Sequence, residues 1–232
     1  MRKNVLLKLS GEAFGDKNTP FLPEVIQSYA NAIAKGLAHR KTVYAVCGGG
    51  NVCRGRSFGG NVLTDYAGML ASVQNGLFLT IALSELGIKS QLVLPDNFTI
   101  PYGCHECDVE EETRVVIYAG GVGFPGHSTD YICAVKAVEH DCDVYFAKFG
   151  VDGVYAFDPN NAALVAERGK PAFIENVSFA EIVDKKLGII DLEAAELLCK
   201  TDCKGYIFSL TADNIASMLC GDEEEIHKTT IH

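Results

Sequence analysis

Short runs of Val, Ile, Leu and Tyr alternate along the chain with longer segments in which apolar residues recur at helical spacing. The apolar runs predict six β-strands, at residues 4–9, 42–47, 88–94, 114–119, 143–148 and 205–209. The segments between them predict helices near residues 22–39, 64–86, 128–140, 178–186 and 213–219. This alternation predicts an α/β sandwich around a largely parallel sheet.

Two segments carry further expectations. The helix predicted at 64–86 is apolar around most of its circumference, whereas a surface helix has a single apolar stripe. It is either a central core helix or a helix that packs on the sheet and, outwardly, on another subunit; the sequence favours neither. The tail CGDEEEIHKTTIH predicts an acidic turn followed by an edge strand on the solvated surface.

Length and composition suit one globular core. The chain has 232 residues, of which 48% are hydrophobic, and this predicts a single domain spanning 1–232. We expect no segment to cross a bilayer. The opening MRKNVLLKLSGE is interpreted as a first strand and not as a signal peptide, because Lys8, Glu12 and Asp16 interrupt its apolar run. A cytoplasmic protein without membrane contact is therefore expected.

The charge balance limits the partners. The formal net charge is −10 and no basic patch stands out, which argues against nucleic acid as a partner. An excess of carboxylates is still compatible with nucleotide binding, because a few local amides and cations suffice to hold one phosphate chain.

The nine cysteines raise the question of a metal site. Cys104 and Cys107 have the spacing of metal ligands, but no second Cys-x-x-Cys pair follows. Cys199 and Cys203 could share one helix face. Because a closed zinc site requires four converging ligands, reduced and unligated thiols are favoured over structural zinc.

Four glycine-bearing loops follow predicted strands: LSGEAFG, CGGGNVCRG, AGGVGFPGHST and FGVDGVY. Ligands in open α/β sheets bind beyond the carboxyl ends of the strands, so the loops predict one shared crevice. Lys8, at a strand end beside Ser10 and Gly11, suits phosphate oxygens, although a solvated lysine is common at such a position. The glycines at 48–50 allow close backbone approach to a ligand, or form an ordinary turn, and Arg54 follows as a second phosphate contact.

The third loop also has the spacing G-x-G-x-x-G at residues 121–126, which is typical of dinucleotide-binding folds. That interpretation is disfavoured because the spacing lies halfway along the chain and Pro125 removes an amide donor. Ser128 or Thr129 is predicted to cap the following helix. No Walker sequence G-x-x-x-x-G-K-[ST] occurs, so P-loop chemistry is excluded.

The segments LLKLSGEAF, CGGGNVCRG, TDYAGMLASVQNGL, RVVIYAGGVGFPGHSTD and VDGVYAFDP together resemble, in order, the motifs of the bacterial uridylate kinases, which belong to the amino acid kinase superfamily. The resemblance extends over nearly the whole chain. It implies a three-layer α/β/α sandwich with a mainly parallel sheet, the amino acid kinase (carbamate kinase-like) fold. It also implies transfer of the γ-phosphoryl group of ATP, with Mg²⁺, to UMP in pyrimidine nucleotide synthesis, by a homohexamer assembled through the long apolar helix.

The resemblance further implies a role for individual residues, and it assigns none of them as a metal ligand. The residues implied to bind ATP are Lys8, Ser10, Gly11, Gly50, Arg54, Phe149, Tyr155 and Asp158. Those implied to bind UMP are Gly49, Asp65 and, in the loop 122–129, Val122, Gly123, His127, Ser128 and Thr129. The implied catalytic residues are Lys8, Asp130 and Lys148, with Asp130 orienting the lysines. From the residues alone, the favoured interpretation of Asp130 is an ordinary acid at a helix N-terminus.

The chain departs from the family pattern at two places. Val122 and Phe124 stand where the family generally has Thr and Asn in contact with the acceptor nucleotide. The second lysine of the family corresponds to Ala147, and Lys148 follows one residue later, a shift that turns a strand side chain to the other face. Two alternatives therefore stay open: a kinase for another acceptor, and a nucleotide- or oxyanion-binding homologue with little turnover.

Overall fold

A computed structural model of the protein describes residues 4–16, 18–53 and 59–232. The strands in this part of the chain are β1 (Val5–Leu9), β2 (Val43–Cys47), β3 (Ser90–Val93), β4 (Gly103–Cys104), β5 (Val115–Tyr118), β6 (Asp143–Lys148), β7 (Val154–Tyr155), β8 (Phe173–Ile174), β9 (Asn176–Val177), β10 (Gly205–Ser209) and β11 (Lys228–Ile231). The α-helices are α1 (Pro23–Gly36), α2 (Val62–Glu85), α3 (Thr129–Glu139), α4 (Ala162–Arg168), α5 (Phe179–Lys185), α6 (Leu192–Leu198) and α7 (Ala212–Cys220).

One sheet organises the molecule, with the strand order β4-β3-β5-β2-β1-β6-β10-β11-β9. Every pairing within it is parallel except that between β10 and β11. The central strands β1, β2, β5 and β6 are almost entirely buried, as expected for parallel strands covered on both faces. Strands β7 and β8 form a separate antiparallel pair.

Helices cover both faces of the sheet, which confirms the predicted three-layer sandwich. Leu7 and Leu9 point to the face covered by α1, α2 and α7. The alternate residue Leu6 points to the face covered by α3, α5 and α6, where Phe146 also packs. Each fully buried side chain of this size contributes about 1.5–3 kcal/mol through the hydrophobic effect.

Local sequence signals explain where several helices begin. The Asn61 side chain accepts hydrogen bonds from the amides of residues 63 and 64 and starts α2. The Ser128 hydroxyl accepts from the Tyr131 amide and starts α3, which confirms one of the two predicted caps. Because Ser128 fixes this helix start, Asp130 lies in the first turn of α3.

The six predicted strands and five predicted helices are all present, with ends that differ by a few residues. The short helices α4 and α6 were not predicted. The prediction of a solvated edge strand at the C-terminus is wrong, because β11 pairs with β10 on one side and with β9 on the other. Thr229 and Ile231 within it are fully buried.

The long helix α2 requires a second correction. We expected no segment that could cross a bilayer, but α2 is long and apolar enough to do so by length and composition. Half of that apolar window is nevertheless buried within the protein, since α2 packs on the sheet through residues such as Val73, Leu79 and Leu83. Its outer side leaves Leu63, Leu70 and Ile81 exposed among other apolar side chains, so α2 is not a fully enclosed core helix.

Candidate functional site

Three charged side chains meet at the carboxyl ends of the central strands. Lys8 of β1 and Lys148 of β6 both approach Asp130 in the first turn of α3. Lys8 Nζ lies 3.4 Å from Asp130 Oδ1, and Lys148 Nζ donates to Asp130 Oδ2 at 2.9 Å. All three side chains are nearly buried, with exposed fractions of 11–14%. The structure thus brings together the three residues that were predicted to be catalytic.

The electrostatics of this centre follow from two ammonium groups sharing one carboxylate. Burial alone would raise the pKa of Asp130, but the charges of Lys8 and Lys148 outweigh it and lower the pKa. The pKa of Lys148 is lowered by burial, reinforced by repulsion from Lys8 and opposed by Asp130. With both lysines charged, the centre has a formal excess of one positive charge.

The register of β6 explains how Lys148 reaches Asp130. Phe146 pairs with Lys8 in the parallel ladder, and Lys148 lies two residues further along the same strand. Side chains two residues apart share a face, so Lys148 points to the α3 side together with Lys8. Ala147 lies on the opposite face, among the side chains packed on α1 and α7. No bulge is needed within the paired residues of β6, because their register with β1 and β10 is continuous.

The first two glycine loops pack directly against each other beside this centre. A Cβ atom on Gly11 would lie 2.4 Å from the Gly50 amide nitrogen, and one on Gly49 would lie 2.4 Å from the Gly68 carbonyl oxygen. Asn75 of α2 donates to the Gly48 carbonyl at 2.6 Å and holds the second loop in place. These contacts explain why glycine is required at positions 11 and 49.

Two more residues were predicted to contact ATP phosphates from these loops. The Ser10 hydroxyl accepts from Lys8 Nζ at 3.1 Å and donates to the Ala147 carbonyl at 3.3 Å. Ser10 therefore links the ends of β1 and β6. Arg54 lies outside the described residues.

A cavity of about 220 Å³, which we call the first cavity, opens between the second glycine loop, α2 and the loop before α3. Its lining includes Gly49, Gly50, Asp65, His127, Ser128 and Thr129. Five of the seven residues predicted to bind UMP therefore surround one space, together with Gly50, which was predicted to contact ATP. Val122 and Gly123 do not line this cavity.

Two hydrogen bonds hold the loop 122–129 in position. Asp65 Oδ2 of α2 accepts from the Gly126 amide at 3.0 Å. Asn97 Nδ2, in the segment after β3, donates to the Gly123 carbonyl at 2.5 Å. Asp65 is thus an anchor of the loop as well as a wall of the cavity, whereas no sequence pattern indicated a role for Asn97.

The residues predicted to contact adenosine are only partly gathered. Tyr155 and Asp158 line a separate cavity of about 510 Å³, which we call the third cavity. It is formed by residues 150–160 and 187–189. The Tyr155 hydroxyl donates to Asp152 at 3.1 Å, and its ring packs edge-on against Phe173. Phe149 does not line this cavity and is 55% exposed.

A further space, which we call the second cavity, was not predicted. It has a volume of about 520 Å³ and lies between β5, α3 and the segment after β3. Its lining includes Asp96, Glu106, Tyr118, Val122, Lys136 and Glu139. Lys136 and Glu139 are three residues apart on a predicted helix, and this spacing could have predicted an ion pair on one face of that helix.

Glu106 is at the centre of a polar network on the wall of the second cavity. It accepts from the Tyr118 hydroxyl at 2.9 Å and from Lys136 at 2.8 Å, and His140 Nε2 lies 3.3 Å away. Burial alone would raise the pKa of Glu106, but hydrogen bonds from His140, Lys136 and Tyr118 outweigh it and lower the pKa to about 2. Glu106 is therefore ionised across the physiological pH range.

The ligand atoms of Glu106, Glu139 and His140 lie within 4.8 Å of one another, a spacing compatible with a metal ion. Lys136, however, donates to both carboxylates, at 2.8 Å and 2.7 Å. Its ammonium group supplies the positive charge that a cation would bring, so we assign no metal to this group. Across residues 4–16, 18–53 and 59–232, no such group includes the thiols of Cys104 and Cys107.

Comparison with known proteins gives a consistent result for sequence and structure. The model of the amino acid kinase family matches residues 3–209. A uridylate kinase from Limosilactobacillus reuteri is 33% identical over 232 residues, which cover 95% of this chain and 94% of the relative. A uridylate kinase from Mycoplasma capricolum is 34% identical over 223 residues, covering 91% of each chain.

Solved structures resemble this fold over nearly its full length. The UMP kinase from Bacillus anthracis superposes with a TM-score of 0.83 at 26% identity, covering 99% of this chain and 96% of that one. The UMP kinase from Ureaplasma parvum gives 0.82 at 26% identity with the same coverage. The uridylate kinase from Archaeoglobus fulgidus gives 0.74 at 25% identity, covering 98% and 99%.

Proposed function

This chain belongs to the amino acid kinase family, and from that membership we propose that it is a nucleoside monophosphate kinase that converts ATP and UMP to ADP and UDP. The observation that carries the proposal is the Lys8–Asp130–Lys148 centre, whose neighbours in sequence line two cavities. Thr129, next to Asp130, lines the first cavity, and Gly150, two residues after Lys148, lines the third. We assign UMP to the side on which the first cavity opens, and the adenosine of ATP to the third cavity.

The chemistry requires little covalent participation by the protein. An oxygen of the UMP phosphate forms a bond to the γ-phosphorus of ATP, the bond from that phosphorus to the β–γ bridging oxygen breaks, and ADP leaves. The acceptor oxygen is already anionic, so no general base is required. What the protein supplies is alignment of the two phosphates and positive charge around the moving group.

The residues at the centre suit that task. Lys8 and Lys148 are held by one carboxylate and retain net positive charge, and the closely packed loops at Gly11 and at 48–50 bring backbone amides to the same rim of the sheet. Lys8, Ser10, Gly11, Gly50 and Arg54 remain our assignment for the ATP phosphates, and Phe149, Tyr155 and Asp158 for adenosine. Gly49, Asp65, Val122, Gly123, His127, Ser128 and Thr129 remain our assignment for UMP.

A divalent metal accompanies ATP in kinases, and we propose Mg²⁺. Asp130 Oδ1 accepts no hydrogen bond within the described ranges but is ion-paired with Lys8 Nζ at 3.4 Å, so we expect the phosphates of the nucleotide, and not this carboxylate, to hold the cation. When bound, the metal supplies positive charge to the β- and γ-phosphates. Lys8 and Lys148 are then left to neutralise charge on the group in transfer.

The physiological setting is also proposed. UDP formation places the chain in pyrimidine nucleotide synthesis in the cytoplasm, and residues 1–232 act as one domain. The exposed apolar side of α2 supports self-association, and a homohexamer is the assembly that we propose.

A coupled assay of ADP formation tests the function. Purified protein with ATP and a divalent metal is expected to turn over UMP faster than CMP, dUMP or small carboxylic acids. Lys8→Ala is expected to reduce turnover by about 10² to 10³, the typical effect of removing one group that stabilises transition-state charge. The control is Lys204→Ala, which removes an exposed lysine at the opposite end of the sheet, before β10. Nucleotide binding without turnover for every acceptor would overturn the proposal in favour of a binding protein.

A further inference from the structure

The first cavity alone is small for a nucleotide. Its volume of about 220 Å³ is below the range of roughly 300–1,000 Å³ that is typical of small-molecule sites. The second cavity, of about 520 Å³, shares four lining residues with it, namely Tyr118, Ala119, Gly121 and Ile132. The two cavities therefore adjoin along the end of β5 and the inner side of α3, and together they reach the size of a ligand site.

The charges of the two cavities differ, and this difference orients a ligand across them. The first cavity is lined by glycines and hydroxyl groups with one carboxylate, that of Asp65, and one imidazole, that of His127, and Thr129 in its wall precedes Asp130 of the charged centre by one residue. The second cavity is lined by the carboxylates of Asp96, Glu106 and Glu139 against the single ammonium of Lys136. A phosphate group is repelled from the second cavity, whereas an uncharged polar ring is not.

The walls of the second cavity suit a flat heterocycle with one polar edge. Val93, Val122, Ile132 and Val135 supply apolar surface. At one place Lys136 Nζ donates to Glu106 Oε2 at 2.8 Å and to Glu139 Oε2 at 2.7 Å, which leaves one ammonium N–H and further lone pairs of the adjacent carboxylate for a ligand. The uracil ring presents the complementary pattern, an N3–H donor directly beside a carbonyl acceptor.

Resting on the proposed function, we propose that the second cavity binds the pyrimidine base of the acceptor nucleotide and that Glu106 and Lys136 recognise its polar edge. The phosphate and ribose of the same nucleotide occupy the first cavity. Val122 contributes an apolar contact to the base, so recognition no longer depends on a hydrogen-bonding side chain from the loop 122–129.

Glu106 is held in place for this role. Besides the hydrogen bond from Lys136, Glu106 accepts one from the Tyr118 hydroxyl at 2.9 Å. The His140 ring contacts the same hydroxyl and stacks on the Tyr44 ring, with 4.2 Å between the ring centroids. The carboxylate is thus oriented before a ligand enters, which lowers the entropic cost of binding.

The test compares UMP with 3-methyl-UMP, in which the N3–H donor is replaced by a methyl group. Dissociation constants are measured by calorimetry for the wild-type protein and for Glu106→Ala. The wild type is expected to bind UMP about tenfold more tightly than 3-methyl-UMP, the typical effect of one hydrogen bond to a charged group. In Glu106→Ala this preference is expected to fall to nearly one, with ATP affinity unchanged. A purely structural role of Glu106 would weaken both pyrimidine ligands equally and overturn the inference.

A second variant protects the test against misfolding of the first. Val122→Phe adds volume to the wall of the second cavity and removes no member of the Glu106 network, and it is expected to weaken UMP binding about tenfold while leaving ATP binding unchanged. The matched control is Lys89→Met, because Lys89 also pairs with two glutamates, Glu110 and Glu112, but lies at the start of β3, away from both cavities. It is expected to bind UMP as the wild type does.

The outcomes separate this inference from the proposed function. If the wild type neither binds nor phosphorylates UMP, both fail, and this is visible before any variant is made. If the wild type phosphorylates UMP but Val122→Phe binds it normally and Glu106→Ala retains the preference over 3-methyl-UMP, only the base site is overturned.

Discussion

At the scale of single residues, the arrangement around Asp130 determines what the site can bind. Its carboxylate is hydrogen-bonded to Lys148 and ion-paired with Lys8, and both lysines are almost inaccessible to solvent. A buried pair of opposite charges has little attraction left for a ligand, but two ammonium groups on one carboxylate leave one positive charge uncompensated. That charge is the basis of our proposal that the centre binds phosphate and is not merely an anchor between α3 and the sheet.

Removing the second lysine tests this role directly. Lys148→Ala is expected to lower kcat for UMP phosphorylation by about 10² to 10³, because the phosphoryl group in transfer loses a cationic donor that stabilises its negative charge. The KM for UMP is expected to change little, since Lys148 does not line the first cavity. Steady-state kinetics with Lys204→Ala as control measures both, and a wild-type kcat in Lys148→Ala would contradict the assignment.

The ionisation of Lys148 predicts a pH dependence. Its pKa is lowered from the ordinary value, so it loses its proton at a lower pH than an exposed lysine does. The protonated form attracts phosphate, and ATP affinity is therefore expected to fall as pH rises from about 7 towards 10. In Lys148→Arg the guanidinium stays charged over this range, and the fall is expected to be shallower. Calorimetric titrations of ATP across the range measure it, and superimposable profiles for the two proteins would refute this prediction.

The residues of the centre were predictable from motifs, but the direction of one side chain was not. The shift of the second lysine to position 148 predicted a side chain on the wrong face of the strand. That face depends on which residue of β6 lies opposite Lys8, and the ladder places Phe146 there. The pairing joins segments about 140 residues apart in sequence, so no local pattern contains it.

At the scale of elements, the contact between α2 and the loop 122–129 is the one most open to test. The Asp65 carboxylate accepts a hydrogen bond from the Gly126 amide. Replacing Asp65 with alanine removes this bond and frees the loop. Asp65→Ala is expected to raise the KM for UMP about tenfold and to leave the KM for ATP unchanged. Asp65→Asn keeps an oxygen that can accept the amide, and its KM for UMP is expected to lie closer to that of the wild type. Equal loss of both substrates in Asp65→Ala would show that Asp65 acts on the whole fold.

Each expectation about an element that failed has a physical reason. Helices α4 and α6 have only seven residues each; the predicted helix α5 is equally short, but the capping box of Ser178 and Glu181 marks its start, and α4 and α6 lack that signal. Strand β11 contains two threonines in a polar tail, yet it is buried because the Thr229 hydroxyl donates to the Ile174 carbonyl and accepts from the Val154 amide. These partners lie more than 50 residues away. The second cavity was missed for the same reason, since its walls come from separate segments between residues 93 and 139.

At the scale of the whole molecule, the parallel order of the central strands collects the functional groups at one rim. Strands β5, β2, β1 and β6 are neighbours and point the same way, so the loops that follow them converge. The helix α2 lies beside this rim and contributes Asp65 to the first cavity. A subunit packed on α2 would therefore contact the helix that lines the first cavity.

The outer side of α2 predicts how that assembly forms. Leu63, Leu70 and Ile81 are 78%, 56% and 54% exposed, and spacings of seven and eleven residues place them in one stripe, about two and three turns apart. An apolar stripe of this kind is normally covered by another subunit. Leu70→Asp is expected to weaken self-association at least tenfold, because it buries a charge in the interface, and light scattering after size exclusion measures the mass. Tyr102→Asp, which replaces an 87% exposed ring outside α2, is the control and is expected to keep the wild-type mass. An unchanged mass for Leu70→Asp would mean that subunits meet elsewhere, and the exposed stripe would then have no role in assembly.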